Sequence, residues 1–260
     1  MSEGIHIAAD ARGVVTVTLA RTDKRNALSG GMIAAFHDFA RTTGQDPATR
    51  AVILAAEGES FCAGGDLAWM QAQIAADRAT RIAEATKLAA MFQALNTMPA
   101  PLIARVQGDA FGGGIGLIAV ADTAIAADSA RFGLTETRLG LIPATISPYV
   151  LARMGEGKAR RVIMSARLFG AAEAVALDIV ARTVPPAELD AAVEAEIEPY
   201  LAAAPGAVAR AKALARSLGP RIDETVIADT IRRLADAWET EEAKEGIAAF
   251  FGKRKPVWRA

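Results

Sequence analysis

The chain has 260 residues, of which 52% are apolar and 23% charged, and its formal net charge is −1. These values predict a soluble globular protein with a sizeable core, and the net charge gives no overall field that points to nucleic acid. One cysteine and two histidines exclude an internal disulfide and a Cys/His zinc site. Because no signal-peptide pattern and no apolar run of ~20 residues occurs, we expect a cytoplasmic protein without a membrane span.

Strands and helices alternate through the first half of the chain, judged from β-branched runs, helical periodicity and capping residues such as Ser29. The elements predicted in chain order are a strand at 14–19, a helix at 31–40, a strand at 51–56, a helix at 77–96, a strand at 102–106, a helix at 112–121 and a strand at 123–127. This alternation predicts an α/β layered fold. Helix-forming residues dominate after Pro186, and we divide the chain into a core (1–200) and a C-terminal helical region (201–260).

Two glycine-rich segments, 61–67 and 110–116, each follow a predicted strand and lead into a helix. The first turn of a helix leaves backbone N–H groups without partners, and glycine lets a ligand approach them closely. Two such ends brought together would form an oxyanion hole, which binds an oxygen that becomes negative during a reaction. Plain tight turns are the simpler interpretation of the spacing alone, and neither segment fits a P-loop or a dinucleotide-binding fingerprint.

At these residues the sequence resembles the enoyl-CoA hydratase/isomerase family, also called the crotonase family, over nearly its whole length. The matching segments are 25–28, 61–67, 106–114, 130–136, 139–143 and the tail 250–258. The resemblance implies a crotonase-like spiral of ββα units with a C-terminal helical trimerisation region, assembled as a homotrimer or hexamer. It also implies acyl-CoA thioester substrates, with no metal and no cofactor apart from the coenzyme A of the substrate.

The resemblance also implies the catalytic residues. It assigns the oxyanion-hole N–H groups to Gly65 and Gly113, and the catalytic carboxylate to Glu136. Hydratases of the best-known type carry a second catalytic glutamate where this chain has Gly116. A single carboxylate can move a proton between two carbons, which is double-bond isomerisation, or support hydration if one water supplies both its hydroxyl and its proton.

Segments 61–70 and 139–150 are similar to a subgroup that acts on methylglutaconyl-CoA and isohexenylglutaconyl-CoA. We therefore expect hydration of a short or branched 2-enoyl-CoA, with 3-methylglutaconyl-CoA as a candidate, whose own carboxylate could occupy the space left by Gly116. The alternatives are a Δ3,Δ2-enoyl-CoA isomerase and, in another class, a non-catalytic acyl-CoA- or RNA-binding scaffold. Related dehalogenases use an aspartate eight residues after the glutamate, and Ala144 at that position excludes their reaction.

Further substrate contacts are expected from the first glycine loop and from basic residues near both ends of the chain, since charge-assisted bonds to phosphate are strong. The candidates are Ala63, Asp66, Leu67, Lys24, Arg25, Phe250 and Lys253. For Asp66 we favour helix capping over substrate binding. In the family the tail of a neighbouring subunit reaches the nucleotide, although a solvated basic tail is an equally good interpretation here. Cys62 is expected to be a buried, inert thiol.

Overall fold

A computed structural model describes residues 3–259, which form ten strands and ten α-helices. The strands are β1 Ile5–Ala9, β2 Val14–Leu19, β3 Ala51–Ala56, β4 Ser60–Cys62, β5 Leu102–Val106, β6 Asp109–Phe111, β7 Thr123–Ala127, β8 Arg131–Gly133, β9 Phe169–Gly170 and β10 Arg182–Val184. The helices are α1 Gly30–Arg41, α2 Leu67–Ala75, α3 Arg78–Thr97, α4 Gly113–Val120, α5 Ser147–Ile163, α6 Ala171–Ala176, α7 Leu189–Ala202, α8 Pro205–Leu218, α9 Glu224–Trp238 and α10 Glu241–Phe251. Every strand and helix predicted from the sequence is present, within one residue at each end.

The strands form two sheets, and each repeated ββα unit adds one strand to each sheet. The larger sheet has the order β1-β2-β3-β5-β7-β10 and the smaller one β4-β6-β8-β9. All neighbours run parallel except the antiparallel pairs β1/β2 and β8/β9. The successive pairs β3/β4, β5/β6 and β7/β8 each send one strand to each sheet before the chain returns through helices. This arrangement is the spiral of ββα units that the family resemblance implies.

The sequence prediction omitted the strands of the smaller sheet, and its placement of the glycine loops is corrected accordingly. The loops follow the three-residue strands β4 and β6, not the longer strands β3 and β5. Runs of three residues carry too little periodicity to be recognised from sequence. The correction matters because β4 and β6 are hydrogen-bonded neighbours, so their two loops leave the same edge of one sheet.

Apolar side chains fill the space between the two sheets and the helices α1, α3, α4 and α5. The opposite face of the larger sheet is covered by α7, whose Leu189, Val193 and Ile197 pack on Ile103 and Ile125. Both faces of β3 and β5 are therefore buried, which explains why their sequences are continuously apolar rather than alternating.

The last three helices pack on the outside of this core. Ile231 of α9 packs on Ala85 and Ala89 of α3, whereas α8 buries none of its residues. α10 packs against the segment that follows β8, where Ile247 contacts Leu141. The division of the chain at residue 200 stays a prediction. Within 3–259, the helices are all too short or too polar to cross a membrane.

Candidate active site

The first glycine loop joins β4 to α2 and is held by a preceding segment that pairs with it. The Ala63 N–H donates to the Arg25 carbonyl (3.0 Å), and the Leu28 N–H donates to the Gly64 carbonyl (2.8 Å). Gly64 has a φ of +97°, and a Cβ there would lie 3.2 Å from the Phe111 carbonyl oxygen. Glycine therefore permits both the left-handed backbone and the close approach of the second loop.

The second glycine loop joins β6 to α4 and lies directly against the first. Gly112 has a φ of +49°, and its N–H donates to the Gly133 carbonyl at 3.0 Å. A Cβ on Gly64 would lie 3.9 Å from the Gly113 nitrogen, the first residue of α4. The two loops are thus separated by little more than van der Waals contact.

Two backbone donors at this junction have no acceptor. Among residues 3–259, neither the Gly65 N–H nor the Gly113 N–H makes a hydrogen bond. The Gly113 N–H belongs to the first turn of α4, where helix geometry leaves donors unpaired and the helix dipole is positive. Both N–H groups are therefore available to a carbonyl oxygen bound in the cavity, as an oxyanion hole requires.

Glu136 lies beside the second loop, at the start of a 3₁₀ turn, Glu136–Leu139, that follows β8. A Cβ on Gly112 would lie 2.9 Å from its Oε1, and its Oε2 is buried without a hydrogen-bond partner in the described chain. Burial raises the pKa of Glu136 to about 7, against the opposing effect of a backbone hydrogen bond. A carboxyl with this pKa can both accept and donate a proton at neutral pH.

These groups line one cavity of about 1010 Å³. Glu136 is the only carboxylate among the described residues that line it. One wall is apolar and includes Trp69 and Met70 of α2 and Leu88 of α3, with Trp69 Nε1 donating to Glu84 Oε2 at 3.3 Å. An apolar cavity with few polar groups is the usual form of a small-molecule site. No group of three potential metal ligands occurs within 3–259.

The space beside Gly116 is filled by protein, which corrects one expectation from the sequence. A Cβ on Gly116 would lie 2.4 Å from Ile146 Cγ2 and 2.9 Å from the Phe92 ring, and both side chains are buried. The idea that a substrate carboxylate occupies this space is therefore wrong, because Ile146 and Phe92 already occupy it. Phe92 in turn packs on Tyr149, with ring centroids 6.0 Å apart.

The structure brings together part of the predicted substrate-binding set. Ala63, Leu67 and Phe250 line the cavity with the catalytic candidates. Asp66 does not line it, since its carboxylate accepts from the first N–H groups of α2 and pairs with Arg21 at 3.0 Å. The capping role favoured for Asp66 is thus confirmed.

Three basic candidates lie away from the cavity lining. Lys24, Arg25 and Lys253 are exposed and do not line it. Their contact with coenzyme A phosphates stays a prediction. Cys62 is fully buried, which confirms the expectation of a buried thiol, and burial raises the pKa of that thiol to about 12.

Two contributions to the cavity were missed by the sequence analysis. Arg138, an exposed residue, lines it two residues after Glu136. Trp238 of α9 and Gly246 of α10 also line it, although both belong to the region assigned to assembly. The position of Arg138 in the Glu136 turn was visible in the sequence, but the folding of α9 and α10 over the cavity carries no local signal.

Comparisons with known proteins agree with this fold. Residues 9–260 match the model of the family described as enoyl-CoA hydratase/isomerase. A Mycobacterium tuberculosis protein named "Probable enoyl-CoA hydratase echA8" is 34% identical over 259 residues, covering 98% of this chain and 97% of that protein. A crystal structure of an enoyl-CoA hydratase from Shewanella pealeana is 38% identical, with a TM-score of 0.81 over 99% of this chain and 97% of that one. The Pseudomonas aeruginosa protein AtuE is 36% identical, with a TM-score of 0.79 over 99% and 100%.

Proposed function

The chain belongs to the enoyl-CoA hydratase/isomerase family, and we propose that it adds water to the double bond of a short or branched 2-enoyl-CoA. The observation that carries the proposal is that Gly65 and Gly113, whose N–H groups have no acceptor among the described residues, line one cavity with Glu136, whose Oε2 is buried without a partner there. The donors suit a thioester carbonyl and the carboxylate suits a proton transfer. The proposed chemistry uses the coenzyme A of the substrate and no separate cofactor.

In the proposed reaction the thioester oxygen accepts hydrogen bonds from the Gly65 and Gly113 N–H groups. The ionised Glu136 takes a proton from water, whose oxygen bonds to Cβ of the substrate as the double-bond electrons move through Cα to the thioester oxygen. The negative charge on that oxygen is held by the two donors. Glu136 then returns the proton to Cα, so that H and OH have been added and the carboxylate is regenerated.

A Δ3,Δ2-enoyl-CoA isomerase is the second candidate, and the packing at Gly116 favours it specifically. Because Ile146 and Phe92 fill that position, a second carboxylate has no place to hold the water from the other side. One carboxylate suffices to move a proton between Cα and Cγ. The two reactions differ in whether water enters the cavity, so product analysis separates them.

The cavity supports a dicarboxylic substrate such as 3-methylglutaconyl-CoA through Arg138. Arg138 is a cation on the cavity wall that makes no ion pair among residues 3–259, and it lies on the same turn as Glu136. A second carboxylate on the acyl group would supply the missing partner. We therefore propose Arg138, and not the filled space beside Gly116, as the group that receives such a carboxylate.

We further propose that the chain assembles as a homotrimer or hexamer in which the tail carries Phe250 and Lys253 to coenzyme A. The support is that α8 exposes Leu214 and Leu218, which are 60% and 80% accessible, and that Phe250 is half exposed at the cavity. Light scattering on the purified protein gives the subunit number. A monomer that turns over substrate at full rate would contradict this assignment.

The deciding experiment is a product analysis with crotonyl-CoA, 3-methylglutaconyl-CoA and a 3-enoyl-CoA. The proposal expects hydration of the 2-enoyl thioesters, with Arg138→Met raising KM for 3-methylglutaconyl-CoA much more than for crotonyl-CoA. Arg160→Met, a surface change on α5, is the matched control. Equal effects of Arg138→Met on both substrates would remove the dicarboxylic assignment. Isomerisation of the 3-enoyl-CoA without any hydration would establish the second candidate, and no turnover of any thioester would contradict both.

A further inference from the structure

α10 crosses the turn that carries Glu136 at a contact between two backbones. A Cβ on Gly246 would lie 2.5 Å from the Leu139 carbonyl carbon and 2.6 Å from its oxygen. From the other side, a Cβ on Gly140 would lie 2.4 Å from the Glu242 carbonyl carbon. Neither glycine has room for a side chain, because the atoms in the way belong to the backbone and cannot rotate aside.

This crossing holds the Glu136 turn at its C-terminal end. Gly140 has a φ of +70° and closes the turn, and the Leu141 N–H then donates to the Glu136 carbonyl at 3.1 Å. The Leu141 side chain is buried with Trp238, Ala243 and Ile247 of the C-terminal helices. The backbone of Glu136 is thus hydrogen-bonded to a residue whose side chain is fixed by α9 and α10.

We propose that α10 positions Glu136, and that the Gly140–Gly246 crossing sets the distance between this helix and the catalytic turn. Gly140 and Gly246 are then positioning residues, which act through Glu136 without touching the reacting atoms. The inference rests on the proposed role of Glu136 as the proton-transferring carboxylate. It gives the C-terminal helices a part in the chemistry of their own subunit, apart from any role in assembly.

The pKa of Glu136 depends on the charges near its carboxyl and on the burial of that carboxyl. The titratable groups that share the cavity lining are Arg138 on the same turn and Arg254 and Arg259 on the tail, and Arg254 is paired with Glu245. Glu242 contributes backbone atoms to the crossing. Burial is the main cause of the raised pKa of Glu136, and Gly246 of α10 lines the same cavity, so an outward displacement of α10 that lets water reach the carboxyl should lower that pKa.

The test uses Gly246→Ala, with Gly157→Ala as the matched control, since a Cβ on Gly157 of α5 meets nothing within 4 Å. A second variant, Ile247→Ala, loosens α10 from Leu141 without introducing a clash. For each protein we would measure kcat and KM with the thioester that the wild type turns over best, the pH dependence of kcat, and the subunit number. A carbon-13 NMR titration of the Glu136 carboxyl, assigned with Glu136→Gln, reports its pKa without any substrate.

Gly246→Ala should lower kcat by roughly 10- to 100-fold, the size expected for a small misplacement of a catalytic group, while KM changes far less. The pKa of Glu136 should fall from about 7 towards its ordinary value of 4.5. Ile247→Ala should shift kcat and pKa in the same directions, and it decides the matter if Gly246→Ala does not fold. Gly157→Ala should match the wild type.

The outcomes separate this inference from the proposed function. A folded Gly246→Ala protein with the wild-type Glu136 pKa and kcat would overturn the positioning role. A loss of activity that accompanies dissociation of the assembly, with the Glu136 pKa unchanged, would overturn it as well. If the wild type hydrates and isomerises none of the thioesters, the proposed function fails, whereas the NMR titration still shows whether α10 controls Glu136.

Discussion

Gly112 and Glu136 are in direct apposition, because a Cβ on Gly112 would lie only 2.9 Å from Oε1 of the carboxylate. The same Cβ would lie 3.9 Å from Cα of Gly64, so the first glycine loop meets the second at this point. The groups that would bind a carbonyl oxygen and the group that would move a proton therefore occupy one small region. In the proposed reaction this proximity lets Glu136 serve the α carbon of the thioester, which is bonded directly to the carbonyl carbon.

Replacing Glu136 by glutamine should abolish most of the activity. The amide keeps the size of the side chain but can neither accept nor return a proton, so kcat should fall by at least ~10²-fold, the usual contribution of general acid–base catalysis. Steady-state kinetics with crotonyl-CoA measure this. Glu156→Gln, an exposed change on α5, is the control. Wild-type kcat in Glu136→Gln would show that another group transfers the proton.

The pH dependence of kcat/KM should show an acid limb with a midpoint near pH 7. Burial raises the pKa of Glu136 to about 7, and the proposed base is the ionised form. Activity should therefore be lost as the pH falls below about 7, and it should rise tenfold per pH unit on that limb. An acid limb near pH 4.5, the ordinary range for glutamate, would mean that Glu136 is solvated in the free enzyme.

The same raised pKa predicts that Glu136 makes the folded protein less stable at alkaline pH. The folded state binds the Glu136 proton more tightly than the unfolded state does, so this contribution to stability is complete below pH 4.5 and is lost as the pH rises through about 7. Glu136→Gln has no charge to bury. Relative to the wild type it should therefore gain unfolding free energy between pH 5 and pH 8, by up to about 3 kcal/mol.

Urea denaturation of both proteins at these two pH values gives the difference. Glu156→Gln again serves as the control, because Glu156 is exposed and its replacement should give a small difference with little pH dependence. A Glu136→Gln protein whose stability follows that of the wild type at both pH values would contradict the burial of this charge.

Most of the fold and the chemical groups of the site could be predicted from the sequence. The short strands and the long-range packing that hold those groups in place could not. The long strands and helices followed from apolar runs and from caps such as Ser29, whose side chain accepts the Met32 N–H. Strands β4 and β6 could not be predicted, because a run of three residues has no measurable period. These two strands nevertheless bring the glycine loops together. The packing beside Gly116 and the crossing at Gly246 join residues far apart in the chain, so no local pattern could reveal them.

Gly113→Pro should remove one oxyanion-hole donor. Proline has no N–H and is well tolerated at the first position of a helix, which is where Gly113 lies in α4. We expect kcat to fall by ~10²–10³-fold, the usual cost of losing one such donor. Gly113→Ala is the matched control, because it keeps the N–H while its Cβ makes the same 2.9 Å approach to Leu28 Cδ1. Equal kcat values for the two variants would show that crowding at Leu28, and not the donor, limits the reaction.

The Gly116→Glu variant tests whether a carboxylate can be placed at the position where hydratases with two catalytic glutamates carry the second one. The new Cβ would lie 2.4 Å from Ile146 Cγ2 and 2.9 Å from the Phe92 ring, and these side chains are 3% and 0% exposed. Overpacking of a core usually costs ~1–3 kcal/mol, and burying an unpaired carboxylate adds to that cost. We therefore expect a destabilised protein with no gain in the hydration of crotonyl-CoA, measured by urea denaturation and steady-state kinetics.

Gly157→Ala controls for the loss of a helical glycine, because its Cβ has open space; it should be neutral or stabilising by up to ~1 kcal/mol. Gly116→Ala then separates packing from charge. It introduces the same collision with Ile146 and Phe92 without a carboxylate, so it should account for most of the destabilisation. A Gly116→Glu protein that is as stable as the wild type and hydrates crotonyl-CoA faster would show that Phe92 and Ile146 move to admit a second catalytic carboxylate. That result would contradict the argument that packing at Gly116 restricts the site to one carboxylate.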